Sequence, residues 1–135
     1  MAIAPSRVGR HDLVIHQGMD EYYPIRFMER DGTVRDLGDY TASLALYRAP
    51  ATLESLHEHQ PILTGNTADG KVQLGDFDGG EFGFYNCYIG LTSHVTSALG
   101  PWGVGVYNLD IIDPFGRVQY RVRGTIKLEE GTRHG

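Results

Sequence analysis

Apolar and polar residues alternate over the stretch from Val118 to Leu128, close to the end of the chain. Apolar side chains occupy the even positions and polar side chains the odd ones, and only Gly124 interrupts the apolar face. A period of two over this length predicts a β-strand with one buried face and one solvent-exposed, basic face. The apolar positions are Val118, Tyr120, Val122, Ile126 and Leu128.

The segment just before this strand, from Tyr107 to Ile111, alternates in the same way. The two segments are separated by Asp113-Pro114-Phe115-Gly116, which is a turn signal because proline fixes φ and glycine tolerates the conformations that turns require. We therefore expect a β-hairpin whose two apolar faces lie on one side. A hairpin alone is marginally stable at best, so other strands must cover that face.

Shorter alternating segments, separated by turn residues such as Asp31-Gly32, predict further strands. Residues 49–60 break the pattern and predict a loop that can hold one helical turn. Thr92 to Leu99 has helical spacing, and Gly100 is placed to end that helix. The additional predicted strands cover residues 12–16, 23–28, 33–37, 41–48, 70–75 and 81–91, and residues 61–64 can add a further short strand.

This succession of elements predicts an all-β fold. About seven or eight strands, with one short helical turn before the penultimate strand, favour an antiparallel immunoglobulin-like β-sandwich. A β-barrel with a similar number of strands is the competing architecture. We expect one domain over residues 11–128, preceded by a flexible N-terminal arm over 1–10 and followed by a C-terminal tail over 129–135.

Composition narrows the class of function. The net charge is -5 with acids and bases interspersed, which argues against a nucleic-acid-binding protein. Cys87 is the single cysteine and cannot form an internal disulfide. The N-terminus lacks the apolar run of a signal peptide, and no apolar stretch approaches the length of a membrane span. We expect a soluble protein, synthesised in the cytoplasm, that binds neither nucleic acid nor membrane.

Two polar clusters contain residue types that bind metal ions, but each is incomplete as a ligand set. His57 and His59 lie in a polar loop without a defined third and fourth ligand. A second cluster resembles part of a calcium loop but has glycine where the next ligand is needed. This cluster consists of Asp76, Asp78 and Glu81. We expect a solvated loop and a hairpin turn, with no metal and no cofactor.

Candidate nucleophiles are equally incomplete. Cys87 lies in a predicted strand and is expected to be a small buried hydrophobic residue. His94 is close to Ser93 and Ser97, but one helical turn does not make a triad and no Gly-x-Ser-x-Gly sequence is present. We therefore expect no enzymatic activity and no catalytic residue.

The order of turns and strands over residues 11–128 resembles the pattern of a known protein family. A strand ends at Gln17-Gly18, a longer strand and an Asp-Gly turn follow, and the sequence Asp-Leu-x-x-Tyr-x-Ala precedes the next strand at 36–42. The later half adds the turn at 92–99, the strand at 107–111 and Arg123-Gly124-Thr125-Ile126. This pattern resembles the immunoglobulin-like domain of small tail or baseplate proteins of tailed bacteriophages, and is similar to the N-terminal domain of upper baseplate proteins.

The resemblance implies a structural component of a tailed-phage virion, in the tail or baseplate, made in the host cytoplasm. Its partners would be copies of itself and other virion proteins, held in a symmetric assembly. Aromatic and arginine side chains dominate the energetics of such interfaces. On that basis, the candidate contact residues are Tyr22, Trp102, Arg121 and Arg123.

The alternative hypothesis is a carbohydrate-binding or head/neck decoration module that mediates attachment to the host, with a host glycan as partner. Aromatic side chains that form a sugar-stacking platform would support it, although such residues more often fill a core or a subunit interface. The aromatic candidates are Phe82, Phe84, Tyr88 and Trp102. Exposure of Phe82, Phe84 and Trp102 would favour glycan binding, and their burial would count against it.

Overall fold

The computed structural model describes residues 2–3, 8–100 and 103–130. Over these residues the fold is all-β, as predicted, with one five-residue helix, α1 (Ser93–Ser97). No helix in the described ranges is long and apolar enough to cross a membrane. The strands are β1 (Ala2–Ile3), β2 (Val8–Arg10), β3 (Leu13–His16), β4 (Glu21–Phe27), β5 (Thr41–Arg48), β6 (Leu63–Asn66), β7 (Val72–Asp78), β8 (Phe84–Leu91), β9 (Gly103–Ile112) and β10 (Val118–Glu129).

The strands form two sheets. The smaller sheet has the order β1-β4-β8-β7, and the larger has the order β2-β10-β9-β5-β6, with β3 also paired to β10. Most pairs are antiparallel, but β1 joins β4 in parallel, and β2 and β3 both join β10 in parallel. The sheets are therefore mixed at their N-terminal strands, whereas the sequence predicted purely antiparallel sheets.

The N-terminal segment differs from the sequence prediction in secondary structure. No strand was predicted before Asp12, but residues 2–3 pair with β4 and residues 8–10 pair with β10. Strands of two or three residues are too short to show alternation, which is why the pattern could not reveal them. The flexibility of the arm, and the domain boundary after residue 10, stay predictions.

The predicted C-terminal hairpin is confirmed. β9 and β10 pair from Gly103 opposite Leu128 to Ile112 opposite Val118, and the backbone N–H of Asp113 closes the turn on the carbonyl of Arg117 at 2.8 Å. Four of the five apolar positions on β10 are buried. The prediction for Val118 was wrong, because a bulge between Val118 and Tyr120 shifts the register and leaves Val118 45% exposed.

Gly124, the one interruption of the apolar face, has a steric reason. A Cβ atom added there would lie 2.0 Å from the carbonyl oxygen of His11. The same carbonyl accepts a hydrogen bond of 2.6 Å from the hydroxyl of Tyr107, the cross-strand neighbour of Gly124. The glycine therefore allows the segment between β2 and β3 to approach β10 closely.

Both sheets contribute to one hydrophobic core. Phe27 of β4 meets Tyr120 of β10 with ring centroids 4.8 Å apart. Alternate side chains of β3 and β5 are buried in this core, as is Val72 of β7: Leu13 and Ile15 on β3, and Ala42, Leu44 and Leu46 on β5. The predicted return strand at 33–37 is reduced to one bridge between Met28 and Val34, because the chain turns there to bury Leu37 in the core.

Asn86 is a buried polar residue that extends the pairing between β4 and β8. The backbone register ends at Ile25 opposite Cys87. Beyond it, the Asn86 side chain accepts a hydrogen bond from the N–H of Phe27 at 2.8 Å and donates to its carbonyl at 2.9 Å and to that of Arg35 at 2.8 Å. The side chain thus gives the N–H of Phe27 and the carbonyl of Arg35 a hydrogen-bond partner, and it adds a second donor to the carbonyl of Phe27, which also accepts from the N–H of Arg35 at 2.9 Å.

Substitution of a core side chain on each strand of the hairpin tests this packing. We expect Leu109→Ala and Ile126→Ala each to lower the free energy of unfolding by about 2–5 kcal/mol, as large-to-small changes in a packed core do. Denaturant unfolding measures the change. The half-exposed Val118 supplies the control, since Val118→Ala should have a much smaller effect. An unchanged midpoint for either core variant would show that the face assignment is off by one residue.

Candidate interaction surfaces

Three of the four candidate contact residues lie in the described part of the chain, and they lie on two different sheets. Tyr22 lies on β4 and is 66% exposed, with its ring edge-on to Tyr88 at 5.9 Å between centroids. Arg121 and Arg123 lie two residues apart on β10, in the larger sheet. Trp102 lies outside the described residues. The candidates therefore do not form one patch, since Tyr22 belongs to the smaller sheet and the arginines to the larger one.

The two arginines are tied to their own neighbours on β9. Arg121 donates from Nε and Nη2 to the two carboxylate oxygens of Asp110, at 2.7 and 3.1 Å, and these bonds raise the pKa of Arg121. Arg123 donates from Nε to the side-chain oxygen of Asn108 at 2.8 Å. Both pairs are directly opposite in the register. The face expected to be basic is therefore partly neutralised within the sheet.

The smaller sheet carries a continuous row of aromatic side chains, which we call the ring row. Successive centroids are 5.9, 5.0, 5.2 and 5.8 Å apart, within the range of favourable edge and tilted contacts. The exposed Tyr22 is at one end. The members in order are Tyr22, Tyr88, Phe77, Tyr85 and Phe82.

Two glycines make room for the ring row. A Cβ atom on Gly90 would lie 3.2 Å from the ring of Tyr88 and 3.4 Å from that of Tyr22. A Cβ atom on Gly75 would lie 3.3 Å from the ring of Phe77. The rings thus lie against backbone that lacks side chains, an arrangement in which an aromatic ring covers a glycine in a sheet.

Arg26 holds the far end of the ring row in place. Its guanidinium carbon lies 4.5 Å from the ring centroid of Phe82. The same group donates hydrogen bonds to the backbone carbonyls of Phe82 and Phe84, the latter at 2.8 Å. Phe84, two residues after Phe82, is 66% exposed. The arginine therefore fixes the loop that presents both phenylalanines.

The residues considered for metal binding and catalysis lie on separate elements of the fold. His57 lies in a short 3-10 turn, and Asp76 and Asp78 lie on β7. In the described ranges, no group of three or more His, Cys, Asp or Glu residues is placed to hold a metal ion. Cys87 is buried, as expected, and burial raises the pKa of its thiol, which disfavours the thiolate that a nucleophile requires.

A cleft of about 560 Å³, which we call the sheet cleft, lies on the outside of the larger sheet. The loop after β5 folds over β9 and forms its wall with Ala51 and Leu53, and the N–H of Ala49 is bonded to the carbonyl of Val104 at 3.0 Å. Its floor includes Val104, which is 59% exposed, and Val106, which the loop buries. The lining is therefore mostly apolar.

Charged side chains of both signs stand around the sheet cleft. Lys127, directly opposite Val104, and Arg10 of β2 supply positive charge, and Glu54 supplies negative charge. Arg10 is only loosely paired, with its Nε 3.7 Å from the Asp12 carboxylate, and Lys127 lies 3.0 Å from Glu129. Sequence analysis missed this site, because its parts come from distant segments and carry no local motif.

The hairpin tip, residues 113–117, presents another apolar group. Phe115 is 83% exposed, the highest value among the exposed large hydrophobic residues of the described chain, and the Arg117 guanidinium lies 6.0 Å from its ring centroid. Asp113 orders the turn by accepting hydrogen bonds from the N–H groups of Phe115 and Arg117, both at 2.9 Å. Gly116 has φ of 84°, which favours glycine. The tip is therefore a well-defined apolar projection.

In comparisons with known proteins, no family model matches the chain, and no curated protein matches it. Its function therefore has to be argued from its residues and their geometry.

The turn carboxylate gives the hairpin a defined pH dependence. The backbone hydrogen bonds from Arg117 and Phe115 lower the pKa of Asp113, so this carboxylate stabilises the fold above the unfolded-state pKa of about 3.9. That contribution is lost as the pH falls through the lower pKa of the folded state. We expect Asp113→Asn to be less stable than the wild type at pH 7, with the difference shrinking below about pH 3.9. Denaturant midpoints measured across this range check it, and a difference that grows on acidification would contradict the assignment.

Proposed function

We propose that this chain is a non-enzymatic structural component of a tailed-phage virion, placed in the tail or baseplate. It acts through contacts with copies of itself and with other virion proteins in a symmetric assembly. The body of the protein is an immunoglobulin-like β-sandwich, and the exposed side chains on its outer surfaces make the contacts.

The strand order supports the immunoglobulin-like part of the proposal. In such domains strands B, E and D share one sheet and strands C, F and G the other, which variable-type domains extend with C′. With β4 taken as strand B, the smaller sheet has the order B-E-D and the larger the order G-F-C-C′. The helix α1 then lies between strands E and F, where the sequence pattern placed a helical turn.

The observation that carries the assembly role is the ring row with its exposed ends. Contiguous exposed apolar surface on a small protein marks a site of interaction, whereas single exposed hydrophobic residues are ordinary. Here the rings contact one another in sequence, and both ends of the row are exposed, Tyr22 by 66% and Phe82 by 37%. Tyrosine and phenylalanine are also enriched in protein interfaces. Arg121 and Arg123 would add polar contacts at a second face.

Purified particles test the proposal directly. We expect mass spectrometry of gradient-purified phage particles that encode this chain to detect it among the virion proteins, at a copy number set by a rotational symmetry. Antibody or gold labelling should place it on the tail or baseplate. Particles washed at high salt serve as the control against adsorbed protein. Absence of the chain from washed particles would refute a structural role in the virion.

Exposure of Phe82 and Phe84 favours the second candidate, a carbohydrate-binding or decoration module that attaches the particle to the host. The rings would stack on sugar faces, while Arg26 holds their loop in position. The contribution of Trp102 stays a prediction. Binding of host surface glycans, measured by glycan array and calorimetry, tests this role. If it is correct, Phe84→Ala should weaken binding at least tenfold, and Phe115→Ala, at a more exposed ring, should not. No binding to any surface glycan of the host would remove this candidate.

A further inference from the structure

The hairpin tip and the sheet cleft lie at opposite ends of the same pair of strands. β9 and β10 run antiparallel from the tip, where Ile112 is opposite Val118, to the cleft, where Val104 is opposite Lys127. At about 3.3 Å per residue, the eight residue steps from Val104 to Ile112 separate the two features by about 26 Å. One copy therefore carries an apolar projection at one end and an apolar recess at the other.

The shape of the two features is complementary. The tip ends in a single phenylalanine ring with few contacts of its own. The cleft has an apolar floor and wall formed by Val104, Val106 and Leu53. Its volume of about 560 Å³ falls in the range of protein sites that bury small organic molecules, so it can take a phenylalanine side chain together with part of a turn.

The charges are complementary as well. Beside the Phe115 ring the tip carries the Asp113 carboxylate and the Arg117 guanidinium. The rim of the cleft carries two cations, Arg10 and Lys127, and the carboxylate of Glu54. A negative and a positive group on the tip can thus each face a group of opposite charge on the rim, which favours one register of docking.

We propose that the hairpin tip of one copy docks in the sheet cleft of a second copy of this chain. Phe115 packs on Val104 and Val106, Asp113 faces Arg10 and Lys127, and Arg117 faces Glu54. This contact deepens the proposed function, because it identifies which surfaces join neighbouring copies in the assembly.

Such a contact joins two different surfaces and so leaves one tip and one cleft unoccupied on every pair. Contacts of this kind produce rings when the rotation closes and helical chains when it does not, both of which occur in symmetric assemblies. One docked turn is small compared with a standard interface of about 1,600 Å². The isolated protein should therefore associate weakly, and neighbouring contacts in the particle would reinforce the joint.

Two single-surface variants test the contact. Phe115→Asp removes the tip and keeps the cleft, whereas Val104→Asp blocks the cleft and keeps the tip; both positions are exposed, so folding should be preserved. Each variant alone should be monomeric in sedimentation at high protein concentration, where the wild type forms a concentration-dependent series of oligomers. An equimolar mixture should form pairs and stop there, because only one intact tip meets one intact cleft.

Nuclear magnetic resonance gives the site of the contact. Unlabelled Val104→Asp protein added to ¹⁵N-labelled Phe115→Asp protein should shift the amide signals of Val104, Thr125 and Lys127. Met19→Asp is the control, since Met19 is an exposed apolar side chain outside both surfaces, and this variant should leave the association of the wild type unchanged. If the mixture forms no pairs, or if either single variant associates like the wild type, the inference is wrong.

The two proposals fail separately. Detection of the chain in washed particles, with no pairing in the mixture, would refute the docking of tip and cleft and leave the virion role standing. Pairing in the mixture by a chain that is absent from particles would refute the virion role and leave the self-contact standing.

Discussion

The apolar face of the C-terminal hairpin must be covered, and the rest of the fold depends on that requirement. Tyr107, Leu109 and Ile111 of β9 and the matching residues of β10 form a two-strand surface that is buried almost completely. Burying each such side chain contributes about 1.5–3 kcal/mol, while a hairpin left uncovered is marginal. The smaller sheet supplies the cover, most directly where Phe27 meets Tyr120.

Because the core lies between the sheets, the outer faces can vary without loss of the fold. On the outer face of the larger sheet, cross-strand pairs such as Arg121 with Asp110 join neighbouring strands. The smaller sheet places the ring row outside, supported by glycine and fixed by Arg26. Apolar groups on the outside do not add to the core, and contiguous exposed apolar surface of this kind is typical of interaction sites.

Long alternating strands could be predicted from the sequence because a period of two leaves a clear signal over eight or more residues. β5 and β10 were found in this way, and β9 was found from the shorter alternating segment at 107–111. α1 was predicted from its helical spacing and its cap, and Thr92 accepts a hydrogen bond from the N–H of Val95 at 3.4 Å. β1 and β2 were missed because they are too short to alternate. The role of Asn86 was also missed, since its partners Phe27 and Arg35 are more than fifty residues away.

The candidate surfaces were less accessible to sequence reasoning than the fold. Tyr22 was named as a candidate contact residue from its aromatic character alone; it is 66% exposed, and its role in a contact stays a prediction. The sequence predicted a basic face on β10. It did not reveal that Arg121 and Arg123 form hydrogen bonds with Asp110 and Asn108, because these contacts depend on the hairpin register. The sheet cleft combines β2, the loop after β5 and the hairpin, and only the assembled fold brings them together.

We propose that this domain builds a symmetric part of a phage particle through its outer surfaces. A cryo-electron microscopy reconstruction of the intact tail and baseplate tests it most directly. We expect the reconstruction to show a ring or helical row of two-sheet domains. The end of each β9–β10 hairpin should lie against the larger sheet of its neighbour. A well-resolved tail and baseplate with no density for the domain would contradict it.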